Sequence, residues 1–390
     1  MNKKITLGLA LSLVAIASAV TFILTSFFTL QSFNRKIVDV NEKSKKYSSL
    51  NTLDAYFREH YYGEIDEAQL NSGILKGYAS GTGDKYARYL TAEEYAAELR
   101  SDEGEQIGLG LTLSEDSSGY IRIIDVLPDS PASDEGVQPD DIIVGIDGVD
   151  VLETGFEEAL NSMNGNEGTT LKLTIRRDGI DTDYTFTRRS IEIQSVSGEM
   201  LSGYVGYIHI AAFKKNTPDQ FLDVLGRLTA NGAKALIFDL RDNGGGSVKA
   251  LEECLDPLLP EGVIAEAEYK DGHIDTIVYS DDSSLDIPMI VLVNKNTASA
   301  AELFAASLRD FCHSQLIGTK TYGKGVMQET AEFDNGGAII MTVAECRTTL
   351  SESYNGTGIV PDTIIDNEDD ETDVQLAAAQ EAAALAMMQQ

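Results

Sequence analysis

Three apolar stretches set the tightest limit on how this chain can fold. Val205-Gly206-Tyr207-Ile208-His209-Ile210, Ala235-Leu236-Ile237-Phe238-Asp239-Leu240 and Met289-Ile290-Val291-Leu292-Val293 are nearly uninterrupted β-type runs. A strand with one face in water alternates polar and apolar residues, so runs like these belong to strands covered on both faces. Pro218 to Leu228 and Ala300 to Leu308 carry helical patterns among them. Strand and helix therefore alternate through residues 193–365, which reads as an α/β core.

The preceding segments read differently. Residues 50–103 place apolar and aromatic side chains at three- and four-residue steps (Leu53, Tyr56, Phe57; Leu70, Ile74, Leu75, Tyr78), the pattern of a small helical domain. Thr91 with Glu94 forms a capping box opening a helix from Ala92 to Arg100, and the acidic stretch Ser101 to Gln106 marks a boundary. Residues 104–192 carry short strands and turns, with Arg177-Asp178-Gly179 as a hairpin signal. Gly108-Leu109-Gly110-Leu111, Pro128-Asp129-Ser130-Pro131-Ala132 and Gln138-Pro139-Asp140-Asp141-Ile142-Ile143 follow one another there, an order that resembles a PDZ domain. The resemblance implies that Leu109, Gly110 and Leu111 receive a peptide carboxylate, their N–H groups forming an anion nest beside a strand edge that pairs with the ligand. Asp140 stands where that third motif commonly has glycine. Residues 366–390 are an acidic connector and an Ala-rich helix, suited to docking on the body or at a homodimer interface.

The net charge of −33 excludes nucleic acid as a partner of the main body, since phosphate recognition needs clustered cations. Cys254, Cys312 and Cys346 are too few for a disulfide framework and lack metal-ligand spacing; they read as buried free thiols, and neither metal nor cofactor is expected. At the other end, Ile5 to Leu30 is uncharged after Lys3 and Lys4, longer than the about 20 residues a spanning helix needs. Residues 1–34 thus read as a cytoplasmic tip and transmembrane anchor, with a signal peptide cleaved after Ala17-Ser18-Ala19 as the rival. Arg35, Lys36, Lys43, Lys45 and Lys46 follow the segment, so the positive-inside rule does not favour an exported body.

The chemistry concentrates between Asn294 and Gln328. Thr297-Ala298-Ser299-Ala300-Ala301-Glu302 joins the end of an apolar strand to an apolar helix, where small neighbours leave room for a substrate backbone and the helix start offers free N–H groups. Taken alone, Ser299 or Thr297 is a helix cap. Lys324 lies between Gly323 and Gly325; taken alone, it is a loop lysine between turn glycines. A solvated lysine is no base at neutral pH, but desolvation can lower its pKa by several units.

The series of a helical segment, PDZ-like motifs, Asp239-Leu240-Arg241-Asp242-Asn243-Gly244-Gly245-Gly246, Ser299-Ala300-Ala301-Glu302, Gly323-Lys324-Gly325 with Gln328, and Gly358-Ile359-Val360-Pro361-Asp362 resembles the carboxyl-terminal processing peptidases, or tail-specific proteases. The resemblance covers nearly everything after residue 50. With the N-terminal transmembrane helix read from the apolar run, it implies a multidomain α/β (α+β) chain: small helical domain, PDZ domain and α/β serine peptidase core of the tail-specific protease fold. It implies a serine endopeptidase acting on protein substrates with free C-termini, its body extracytoplasmic on a single-pass membrane anchor. Ser299 then corresponds to the nucleophile, Lys324 to the general base and Gln328 to the amide orienting that lysine, with Asp310 in support. Gly245 and Ala300 are the expected oxyanion donors.

Two departures stand out. Gly244 replaces the proline of the family's Asn-Pro-Gly-Gly, and Asp84-Lys85-Tyr86-Ala87-Arg88-Tyr89-Leu90 has Lys85 where the family usually has proline, a difference read as structural. Two rival functions compete with this one. A histidine-based serine protease would need a catalytic histidine motif, and none of the four histidines lies in one. A PDZ scaffold on an inactive protease body would not need Ser299, Lys324 and Gln328 together.

Overall fold

The three apolar runs lie side by side as parallel strands. The computed structural model describes residues 18, 21, 22, 24, 25, 45, 47–281, 284–367 and 372–389. Its core sheet runs Val196–Leu201, Val205–Ile210, Ala235–Asp239, Met289–Val293, Gln315–Gly318 and Thr363–Ile364. The first pair is antiparallel and every later pair parallel. Side chains alternate between two buried faces. Ile208, Leu236, Phe238, Val291 and Val293 pack with residues of the helices Thr217–Ala230, Val248–Leu255 and Ala300–Cys312. Val205, Ala235, Ile237, Ile290, Leu292 and Ile317 face the other way and pack with Ala379 and Ala383 of the C-terminal helix Val374–Gln389. The absence of alternation is thus explained: each strand has helices on both sides. Of the two docking sites open to the Ala-rich helix, the chain's own sheet is the one it occupies here.

The chain divides into two compact units, Met1–Ile74 and Leu75–Gln390. In the first, a helix over 47–60 carries Arg58, which pairs with Asp54 and Glu67. The anchor expected over residues 1–34 falls outside the described residues apart from five helical positions. Among the described residues, no helix is long and apolar enough to cross a membrane.

In the second unit a further sheet centres on the long strand Ala338–Thr348, which pairs antiparallel with Val326–Glu332, Gly262–Tyr269 and Arg88–Leu90. Arg88–Leu90 lies inside the stretch read as helical. Three residues are too few to show a period, and their partners lie some 250 positions away in sequence (Arg88 opposite Ile340). The helix Ala92–Glu103 opens on the expected Thr91–Glu94 capping box. It runs through Ser101–Glu103, read as a boundary, and stops at Gly104 with a left-handed φ of 85°.

The PDZ sheet is ordered Leu111–Glu115, Ile121–Val126, Ile142–Ile146, Thr170–Arg177, Ile180–Thr187. Asp178 and Gly179 turn the last hairpin with φ of 52° and 75°, the geometry of a type I′ turn. Asp140 has φ of 70°, so it occupies the left-handed backbone that glycine would take at no steric cost. Cys254 and Cys346 are buried and Cys312 partly so, all as free thiols. Burial pushes all three up, Cys312 to about 11 and Cys346 to about 12.

Candidate active site

Ser299 sits where the strand Met289–Val293 turns into the helix Ala300–Cys312. Its backbone has φ 57° and ψ −120°, a conformation that costs an ordinary L-residue about 1–3 kcal/mol. Such a turn lifts one side chain clear of the sheet end, and it recurs where a nucleophile joins a strand to a helix. The helix behind it is fixed by packing. Phe304 is fully buried, its ring 5.4 Å from Phe238 and 5.8 Å from Phe213.

Glu302 holds this turn together. Its side chain is fully buried, yet the carboxylate accepts four hydrogen bonds. One oxygen takes the Thr321 hydroxyl (2.5 Å) and the Gly323 N–H (2.7 Å). The other takes the Lys324 N–H (2.8 Å) and the Ser299 N–H (3.0 Å). One side chain therefore joins the backbone of Ser299 to that of the Gly323-Lys324 loop. The sequence does hold a signal for Glu302, which stands three residues after a serine at a helix start, the same spacing as Thr91 and Glu94.

Lys324 is half-buried, and its ammonium donates to Gln328 Oε1 at 2.7 Å. Gln328 Nε2 in turn donates to the Tyr86 carbonyl at 3.0 Å. Burial, and then the Arg88 guanidinium, lower the Lys324 pKa below the usual lysine value, while Asp84 pulls it upward. Asp310 accepts from Thr348 Oγ1 and from Arg309, so it braces the serine helix against the strand Ala338–Thr348.

The glycine loop packs directly on Ser299. A Cβ at Gly245 would lie 2.8 Å from Ser299 Cβ and 3.0 Å from the Ala300 nitrogen, and one at Gly246 would lie 2.1 Å from the Phe213 carbonyl oxygen. Both positions need glycine for close approach. At Gly244 a Cβ meets nothing within 4 Å, so this is a place where a larger residue fits. Buried Asn243 organises the loop: its amide nitrogen donates to the Ile210 carbonyl and its backbone carbonyl accepts from Ala298. Its Oδ1 accepts the Gly245 N–H at 2.8 Å. Gly245, expected to offer its N–H to an oxyanion, here donates it to Asn243. The Ala300 N–H, first in its helix, is among those an α-helix leaves without an intrahelical partner.

In the PDZ sheet the strand Leu111–Glu115 is an edge. The Leu109 carbonyl accepts from Ala132 and the Gly110 carbonyl from Leu127. Because a trans peptide points its C=O and next N–H in opposite directions, the Gly110 and Leu111 N–H groups face away from the 127–132 segment. Among the described residues, no three His, Cys, Asp or Glu side chains converge to hold a metal ion.

Comparison with known proteins agrees with this layout. The model of peptidase family S41 matches residues 204–365, and the PDZ domain model matches residues 98–176. The carboxy-terminal processing protease CtpA of Bacillus subtilis is 31% identical over 351 residues, covering 90% of this chain and 75% of that one. The carboxyl-terminal-processing protease of Picosynechococcus is 34% identical over 309 residues, covering 76% and 75%. The solved photosystem II D1 C-terminal processing protease shares the fold with a TM-score of 0.50 at 24% identity, over 87% of this chain and 92% of that one. The chain is thus a serine peptidase of protein substrates with a PDZ domain. It belongs to the carboxyl-terminal processing proteases of peptidase family S41.

Glu302→Gln tests the junction. An amide oxygen cannot serve all four donors, and its NH2 would face N–H groups. We expect a loss of about 2–3 kcal/mol in urea unfolding, with slower reaction of Ser299 with a serine-directed probe. Wild-type stability and labelling together would mean that Glu302 is dispensable.

Proposed function

We propose that Ser299 is the nucleophile and Lys324 its general base, so that the chain cleaves peptide bonds as an endopeptidase with a serine–lysine dyad. The observation that carries this is the strained Ser299 turn, joined through Glu302 to the loop of a half-buried lysine. In its neutral form the Lys324 amine takes the Ser299 proton while Oγ attacks the scissile carbonyl carbon. The carbonyl π electrons move onto oxygen, where the Ala300 N–H supplies a donor at the helix start. As the intermediate collapses, the C–N bond breaks and the Lys324 ammonium returns its proton to the leaving amine. Water, deprotonated by Lys324, then attacks the acyl ester; the carbon–Oγ bond breaks, the carboxylic acid product leaves, and the proton on Lys324 passes back to the Ser299 oxygen. Gln328 orients the base through its carbonyl oxygen. Asp310 supports the helix away from the reacting atoms. Gly245 joins the oxyanion donors only if its N–H leaves Asn243.

Among the described residues, no hydrogen bond links Ser299 to Lys324; the lysine bond runs to Gln328. Catalytic hydrogen bonds are often long before substrate binds, so this does not oppose the dyad. The sign of the pH dependence follows from the neutral amine being the active form. Activity is low where Lys324 is protonated and rises with pH through its pKa, which burial sets below the ordinary lysine value. We expect kcat/KM on unfolded protein substrates to show that rising limb, and Ser299→Ala and Lys324→Ala to lose at least about a thousandfold. Full activity in either variant would remove the assignment.

We further propose that residues 104–192 bind substrate C-termini at Leu109, Gly110 and Leu111 and that binding there gates the core. Support comes from the edge strand and the outward N–H groups of Gly110 and Leu111. A free-carboxylate substrate should be cleaved faster than its C-terminal amide, and equal rates would count against the gate. Residues 1–34 are proposed to anchor the chain with its body outside the cytoplasm, supported by the uncharged run Ile5 to Leu30. The chain should stay with membranes through alkaline carbonate extraction and be cut by protease added outside intact cells. Release into the soluble fraction would argue for a cleaved leader.

A further inference from the structure

Lys85 in the Asp84–Leu90 segment is a departure that sequence alone reads as structural, yet the segment closes over Lys324. We propose that the Asp84–Arg88 turn positions the base and that Tyr86 is its positioning residue. The proposal rests on Lys324 being the base.

Two independent contacts come from Tyr86. Its carbonyl accepts from Gln328 Nε2 at 3.0 Å, which leaves Oε1 as the end of the amide that faces the Lys324 ammonium. A side-chain amide has one donor end and one acceptor end, so fixing the donor end fixes the other. Without it, the flipped amide would present NH2 to an amine. The second contact is the ring, whose centroid lies 5.0 Å from Lys324 Nζ. At that distance the ring takes space that water would fill beside the amine; its π face attracts the ammonium and acts in the opposite direction, and the desolvation is the larger effect on Lys324. The Tyr86 hydroxyl is buried without a hydrogen bond of ordinary geometry among the described residues, and its influence falls on the Lys85 ammonium, whose pKa it raises.

The turn is pinned to the strand opposite Gln328. Asp84 accepts from the Tyr86 N–H (3.0 Å), the Thr342 N–H (2.8 Å) and the Thr342 hydroxyl (3.0 Å). Thr342 is the cross-strand partner of Gln328. Arg88 then pairs with Glu98 and starts the strand that joins the same sheet opposite Ile340. The charged and titratable groups around Lys324 are therefore Asp84, Lys85, Tyr86 and Arg88 on the turn, and Glu302, which accepts the Lys324 backbone N–H. Lys85 adds a second ammonium at the Tyr86 ring, 4.6 Å from the centroid, and lies 5.6 Å from the Tyr322 ring.

The test is the pH profile of kcat/KM in the full chain, compared among wild type, Tyr86→Phe and Tyr86→Ala. Removing the ring admits water to the amine, so in Tyr86→Ala the rising limb should move up by about one pH unit. Activity near neutral pH should fall about tenfold, and activity should recover on the alkaline plateau. Tyr86→Phe keeps both ring and carbonyl and should superimpose on wild type. A limb in Tyr86→Ala that coincides with wild type would overturn the proposal, as would a Tyr86→Phe shift equal to that of Tyr86→Ala. If Tyr86→Ala does not fold, Tyr86→Leu uncovers the amine in part and should shift the limb the same way by less; no shift there is again the overturning result. A wild-type profile without the limb, or an active Lys324→Ala, would instead remove the base assignment on which this proposal rests.

Discussion

A carboxylate with no exposed surface is expensive to bury unless its lone pairs are filled, and Glu302 fills them with the backbone of two separate loops. Three of its four donors are main-chain N–H groups, from Ser299, Gly323 and Lys324. The Thr321 hydroxyl, the fourth, accepts in turn from the Ile359 N–H. The spacing of the serine and lysine loops is therefore set by backbone geometry rather than by flexible side chains. That makes the strained Ser299 turn tolerable: a residue at φ 57° persists only where its surroundings over-determine it.

The sheet carries the same logic outward. Thr297, also fully buried, accepts from the Asn294 N–H and donates to the Leu240 carbonyl, and Asn243 ties the next loop to Ile210 and Ala298. Adjacent strand ends are thus laced together by short polar side chains, each with its partners close by. On the opposite face, Arg241 bonds Asp239 and reaches Asp373 and Gln375 at the start of the C-terminal helix. The Ala-rich helix is consequently held both by small residues against the sheet and by a polar clamp at its first turn.

What the sequence revealed follows from the range of the interactions involved. Buried strands, the Thr91–Glu94 cap and the Asp178–Gly179 turn are set by neighbours a few residues apart, and their patterns were legible. The ordered motifs also brought Ser299, Lys324 and Gln328 into one hypothesis, and the fold places Gln328 on the Lys324 ammonium. The strand Arg88–Leu90 was not legible because its partners lie about 250 residues away and it is too short to show a period. The role of Tyr86 is hidden from the sequence for the same reason, since it meets Gln328 across 242 positions. Gly245 shows a different limit. A glycine loop announces close approach to Ser299, but which way each N–H turns depends on Asn243, whose buried amide captures the one expected to be free.

The base assignment also explains why two nearby carboxylates avoid the lysine tip. A carboxylate bonded directly to Nζ would favour the ammonium and work against a neutral amine. Glu302 instead binds the Lys324 backbone N–H, and Asp84 is turned to Thr342 and the Tyr86 N–H. Asp84 still raises the lysine pKa, but burial and the Arg88 charge act in the opposite direction and prevail. The direct contact to Nζ is left to Gln328, a neutral acceptor that fixes direction without adding a negative charge. Positioning and proton affinity are thereby separated. Charged groups fix the backbone and the turn, an amide aims the amine, and burial together with the Arg88 charge lowers the amine's affinity for a proton.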